Sequence, residues 1–348
     1  MDFPDIFNRP LTSINPGDNY IDVIDKHLDA FVVKANEWIS ELISSGKIPS
    51  DDLHIYLKRI NQSKEDIIEI LKEYTYRDRL AAIEKLKKYF RTYRGFILNK
   101  SLYGTLLAKS TFYRFRANEI KPIEKNEHAI FHIPFSKRRL VSNNRFNAHG
   151  IPCFYCADDL YIAWREVKSP GKFKFATTDQ EAYFNVGLFR NSIDVDYIDL
   201  SLRDFNEVYS NETVGTFLSY IYLYPLILSL HTKIDYTGTW AAFHHEYVMP
   251  SFIMDIFLSG FKQIFANANK LQCIRYLSVE DDKRTNGYNY VFPAQYAEKS
   301  PQDYCSNLAN IFLQKDSFKY VYQDELVATG KTKIDIMDFP DVMKMLNT

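Results

Sequence analysis

The chain has 348 residues, 46% of them hydrophobic and 25% charged, a mixture that can bury a sizeable core in one or two domains. Lys and Arg number 43 against 44 Asp and Glu, for a formal net charge of −1. That balance argues against direct nucleic-acid binding, which calls for a basic excess or a basic face.

The opening MDFPDIFNRPL has no basic segment leading into an apolar run, so no secretory signal is expected. From Ile21 to Ile43 apolar residues recur at three- and four-residue steps, which predicts an amphipathic helix. Gly46 and Pro49 break the pattern, and Ser50-Asp51-Asp52 offers a cap for a second helix running through Ile60. Ser63 followed by Asp66 resembles a cap for a third helix, Ile67 to Tyr74. A fourth, from Arg77 to Tyr93, carries a Lys- and Arg-rich outer face read as solvated. Residues 1–108 are therefore expected to form a helical accessory domain, with no carboxylate pair, metal-ligand spacing or glycine loop.

From Ser110 onward the character changes. Short β-like runs (TFYRFR, AIFHIPF, PCFYCA, YIDLSL, CIRYLSV, YNYVFP) alternate with helical stretches such as Asp159 to Val167 and Tyr247 to Leu258. Turn signals lie between them at Asn143-Asn144, His149 to Pro152, Ser169-Pro170-Gly171 and Asn286-Gly287. The most apolar segment, Tyr220 to Leu230, falls short of the roughly 18 residues that cross a bilayer and contains Pro225, so it reads as a buried core element. The fold class expected is α+β: a helical N-terminal domain followed by a mixed α/β domain over residues 109–348.

Four cysteines are too few for a disulfide framework, which fits a cytoplasmic protein with reduced thiols. Cys153 and Cys156 form a C-x-x-C, but no second pair accompanies it, and residues three apart on a strand face opposite ways. His128, His132 and His244-His245 lack any metal-binding motif. No metal and no bound cofactor is expected. The 25 Tyr and 26 Phe are read as core-filling rings.

The segment Asn144 to Glu166, NRFNAHGIPCFYCADDLYIAWRE, is the most informative. It sets Arg145 in a turn, then Gly-Ile-Pro, then a strand bearing Tyr155, then a helix bearing Glu166. This order resembles the RES domain, a family named for an arginine, a glutamate and a serine, whose central pattern is G-R-[WYF]-N-x-x-G-x-P-x-L-Y-x-[AG]. FYRFR resembles the family's opening strand and supplies Arg114. EYVMPSFIMDIF resembles its Y-x-x-P-Q helix, and IRYLS its G-I-x-Y-x-S strand, which supplies Ser278. Three departures stand out: Asn144 for a glycine before the arginine, Ser251 for glutamine, and Cys273 for a glycine. Asn tolerates the left-handed backbone that glycine favours, so the first change is read as mild.

The resemblance implies a fold like that of ADP-ribosyltransferases and an activity that degrades NAD, with water or phosphate as acceptor. It also implies a toxin role beside a helix-turn-helix antitoxin. Nicotinamide leaves a pyridinium as a neutral molecule, so no general acid is needed, and the transition state is a ribosyl oxocarbenium ion. Glu166 would stabilise that cation, Arg145 and Arg114 would grip the pyrophosphate, and Tyr155 would stack on the nicotinamide. Ser278 would bond the ribose, the carboxamide or a phosphate. Asp158 and Asp159, at the start of the helix, are read as caps. Arg114 is weighed equally against structural pairing, and Arg145 against pairing with Asp158 or Asp159. Two other readings stay open: ADP-ribose transfer to a macromolecule, and a catalytically silent interaction module. A homo-oligomer is also left open.

Overall fold

Apolar residues spaced at three and four fold Tyr20–Ser44 into α1, with Asn19 capping the amides of Ile21 and Asp22. The computed structural model describes residues 1–15, 17–98, 102–118, 127–141, 144–147, 150–168, 181–234, 243–259, 271–279, 287–296, 303–314, 318–321 and 327–329. His149, Asn143, Ser169-Pro170-Gly171 and Asn286, all in expected turns, lie outside these. The chain forms two compact units. One takes residues 1–104, 144–148 and 199–269, and the other 105–143, 149–198 and 270–348.

In the first unit α1 is followed by α2 (Leu53–Tyr76), α3 (Arg79–Thr92) and α4 (Arg94–Leu98). The two helices expected between Asp52 and Tyr74 are one continuous helix. Ser63 does not cap it. Its hydroxyl is buried and donates to the Tyr222 carbonyl at 2.6 Å, with the Tyr89 hydroxyl 2.9 Å away. A polar side chain turned sideways to a buried partner leaves the backbone helix intact. Lys85 on α3 bridges Glu69 and Glu73 of α2 at 2.8 and 2.5 Å, so the basic face is partly paired.

The segment around Pro225 is indeed core. It lies in α7 (Val214–Leu230), where 14 of 17 residues are buried, as expected of a helix apolar on every side. α5 (Leu160–Lys168) belongs to the other unit, and α6 (Phe205–Asn211) and α8 (Val248–Ser259) to this one. Aromatic rings fill the space: Phe31 stacks on Tyr224 at 4.0 Å, and Trp38 meets Phe205 at 5.0 Å. β1 (Leu11–Ile14) and β7 (Thr232–Ile234) pair in parallel. No helix among the described residues is long and apolar enough to cross a membrane.

The second unit is built on a sheet. Its strands are β2 (Tyr103–Leu106), β3 (Thr111–Asn118), β4 (Cys153–Ala157), β5 (Glu181–Arg190), β6 (Val195–Asp199), β8 (Leu271–Tyr276), β9 (Asn289–Pro293), β10 (Phe318–Val321) and β11 (Val327–Thr329). Their order is β10-β5-β3-β4-β9-β8-β6-β2, with β11 also on β5. One face buries Phe112, Phe131, Phe154, Phe189, Phe292 and Phe312, together with α9 (Ser306–Phe312). The opposite face takes α5, where Trp164 packs on Phe115 at 5.5 Å.

AIFHIPF is not a strand. It enters two short 3-10 turns, Glu127–Ala129 and Phe135–Leu140, around the buried His132. His132 accepts from the Cys305 amide at 2.9 Å through Nε2 and has Nδ1 2.8 Å from the Ile133 carbonyl. These partners define a neutral ring with its proton on Nδ1. Burial holds the His132 pKa down at about 4, and the buried His231 of the first unit likewise at about 4.

An imidazole with a depressed folded pKa is protonated first in the unfolded chain, so stability falls as pH drops from about 6.5 toward 4. The urea midpoint should therefore be lower at pH 5 than at pH 7, with a smaller difference in His132→Asn. An identical pH dependence in that variant would remove His132 from the account.

Candidate active site

The strand-turn-helix from Cys153 to Lys168 sets the geometry. Asp159 caps α5 by accepting from the Ile162 amide at 3.0 Å, as its position suggests. Asp158 does something else. Its carboxylate accepts from the Tyr288 amide at 2.6 Å and the Tyr290 hydroxyl at 3.1 Å, while its own amide donates to the Tyr288 carbonyl at 3.1 Å. The expected cap is thus a clasp between the end of β4 and the start of β9. Burial raises the Asp158 pKa. Gly287 makes the clasp sterically feasible. A Cβ there would stand 2.6 Å from Asp159 Cβ and 2.9 Å from Ile162 Cγ1.

The clasp fixes the register of β9 on β4, which pairs Ala157 with Asn289 and Tyr155 with Val291. Side chains alternate across a strand, so Tyr155, Ala157 and Asn289 share one sheet face. Glu166 reaches toward that face from α5. Its Oε1 accepts from Ser278 Oγ at 2.6 Å and from Asn289 Nδ2 at 2.7 Å. Ser278 and Asn289 are buried, and Glu166 is half-buried. Two short, charge-assisted bonds to one oxygen fix the carboxylate's orientation.

Tyr155 is half-buried on the same face. Arg114 extends on the Phe154 side of the sheet, its guanidinium 5.4 Å from that ring and donating to the Tyr155 carbonyl. Its Nε is buried without a hydrogen-bond partner among the described residues. Burial and the neighbouring Arg116 lower its pKa to about 10, so it remains a cation at neutral pH. Arg145 belongs to the first unit. It sits in a turn closed by the Asn147 amide on the Asn144 carbonyl at 3.2 Å. Its Nη1 donates to the carbonyls of Leu230 and Thr232 at 3.1 and 3.0 Å, and its guanidinium lies 5.3 Å from the Tyr247 ring. Leu230 ends α7, so Arg145 satisfies an orphan carbonyl at the negative end of the helix dipole. Asn144 needs no left-handed backbone: among the described non-glycine residues only Lys109 has positive φ.

The four cysteines are free and buried. Burial pushes Cys153 up to about 12 and also raises Cys156 well above the usual thiol range, the behaviour of inert core thiols.

A model of the RES domain matches residues 119–303, just over half of the chain. The chain belongs to the RES domain family. Arg145, Tyr155, Glu166, Ser278 and Asn289 lie inside the RES match, and Arg114 lies just before it. The chain is also 25% identical over 219 residues to a protein of Bacillus subtilis (strain 168) named "Putative toxin YopC". That similarity covers 59% of this chain and 45% of the relative, so the chain spans less than half the length of this curated relative. No solved structure matches the chain.

Within the RES region, Asn289 escaped the reading of the sequence. The available signal was an amide in the otherwise apolar and aromatic run YNYVFP, at a position whose strand alternation faces a helix. The clasp can be tested directly. Gly287→Ala should destabilise the protein by about 1–3 kcal/mol, because the added methyl meets Asp159 Cβ and Ile162 Cγ1 rather than a flexible tip. An unchanged thermal midpoint would contradict the close approach.

Proposed function

We propose that this RES-domain protein cleaves the nicotinamide–ribose bond of NAD, as an NAD glycohydrolase or phosphorylase with a toxin-like role. The observation that carries the reading is the Glu166 carboxylate, anchored by Ser278 and Asn289 on one oxygen. The RES membership and a relative named as a toxin support it.

The chemistry suits a single working carboxylate. The C1′–N bond breaks with its electron pair going to the pyridinium nitrogen, and nicotinamide departs neutral. Positive charge develops on C1′ and the ring oxygen. A fixed anion beside that charge stabilises the transition state more than the ground state. A water or phosphate oxygen then forms the C1′–O bond, and a water acceptor releases a proton. The products are nicotinamide with ADP-ribose or ADP-ribose 1″-phosphate. A retaining glycosidase would need a second carboxylate as acid/base. Asp158 and Asp159 are already engaged in the clasp and the cap.

Tyr155 is proposed to stack on the nicotinamide ring. For Arg145 we propose pyrophosphate binding through Nε and Nη2, since Nη1 serves the Leu230 and Thr232 carbonyls. Arg114 is proposed to contribute to NAD binding through its charge. In a cell the outcome would be NAD depletion, restrained by a small helix-turn-helix antitoxin.

The test is nicotinamide release from NAD by purified protein, with and without phosphate. Wild type should turn over, and Glu166→Gln should be slower by roughly 10²–10³-fold. A phosphate requirement would identify a phosphorylase. No nicotinamide under either condition, equal rates in the variant, or label from NAD fixed on a macromolecule would overturn the reading.

A further inference from the structure

Asn289 has no assigned role, yet it is one of the two groups that hold Glu166. It stands at the first position of β9, paired with Ala157 on one side and Tyr276 on the other. It is 3% exposed, and its Nδ2 donates to Glu166 Oε1 at 2.7 Å. The paired Ala157 presents only a methyl on that face.

We propose that Asn289 is the positioning residue that sets the orientation of the Glu166 carboxylate for NAD cleavage. The proposal rests on the function argued above. The two donors on Oε1 differ in kind. A serine hydroxyl turns about one bond and can donate, accept or swing to a ligand. An asparagine amide nitrogen only donates, and here it projects from a strand whose register is pinned by the Asp158–Tyr288 clasp. Asn289 thereby holds Glu166 in place when Ser278 turns to the substrate. Aspartate at this position would have the same shape but set a second negative charge against Glu166.

Asn289 would act through Glu166 and leave substrate binding to other groups. In Asn289→Ala, kcat for nicotinamide release should fall roughly 10- to 100-fold, the scale seen when groups that orient a working ligand are removed. KM should stay within about threefold of wild type, because no ground-state contact is lost. Asn289→Asp, which keeps the side-chain shape, should lose at least as much and covers the case in which Ala does not fold. In a Glu166→Gln background, Asn289→Ala should cost nothing further. A loss that persists in that background, or a raised KM with unchanged kcat, would overturn the proposal in favour of a structural or substrate-contact role.

A second readout does not need turnover. In 15N-labelled protein, the Asn289 side-chain amide signal, identified by its disappearance in Asn289→Asp, should move in Glu166→Gln. An unmoved signal would overturn the hydrogen bond and the proposal with it. Absence of NAD cleavage by wild type combined with a shifted signal would count against the proposed function while leaving the Asn289–Glu166 link standing.

Discussion

A half-buried carboxylate is costly unless its oxygens accept hydrogen bonds. In the sheet-based unit that demand falls on Glu166, and two buried donors meet it, Ser278 from the segment after β8 and Asn289 from β9. This arrangement constrains the elements around it. α5 must lie across the sheet at a height that brings its second turn over the start of β9, and β9 must pair with β4 in one register only. A slip of one residue would turn Asn289 to the Phe154 face and put Tyr290 under the glutamate.

That register is protected by local chemistry rather than by the site itself. Asp158 grips the Tyr288 backbone just before β9 and the Tyr290 side chain on it, and the absence of a side chain at Gly287 lets that segment come against the first turn of α5. On the far face the phenylalanine cluster fixes the sheet from behind. The site is thus carried on rigid elements whose own side chains are locked, the condition under which a fixed charge stabilises a developing one. The helical unit has a comparable internal anchor. Arg145 there completes the carbonyl end of α7 and the edge of β7, and those two bonds orient its guanidinium.

Much of this was legible in the residues. The periodicity of α1, α3 and α8, the strands β3, β4, β8 and β9, and the helix bearing Glu166 follow from apolar spacing and turn signals. The resemblance names both Glu166 and Ser278 as site residues, but the hydrogen bond that joins them across 112 positions was not legible in the sequence. What was not legible depended on tertiary partners. Ser63 looks like a cap until Tyr222 and Tyr89 are beside it. AIFHIPF has the composition of a strand, but a buried His132 bonded to Cys305 takes it out of the sheet. Asp158 and Asp159 are adjacent and alike in sequence, and only the approach of β9 separates their roles. Arg145 could not be assigned to the end of α7 from spacing, because Leu230 is 85 positions away.

The central claim, that the anchored Glu166 carboxylate faces the bond that breaks, is tested most directly by a crystal structure of the Glu166→Gln protein bound to intact NAD. The account predicts the C1′ of the nicotinamide ribose within about 3–4 Å of the residue 166 side chain, near-attack distance for a group meant to stabilise charge there. It also predicts the nicotinamide ring against Tyr155. NAD bound with its ribose away from residue 166 would contradict the account, whatever the affinity.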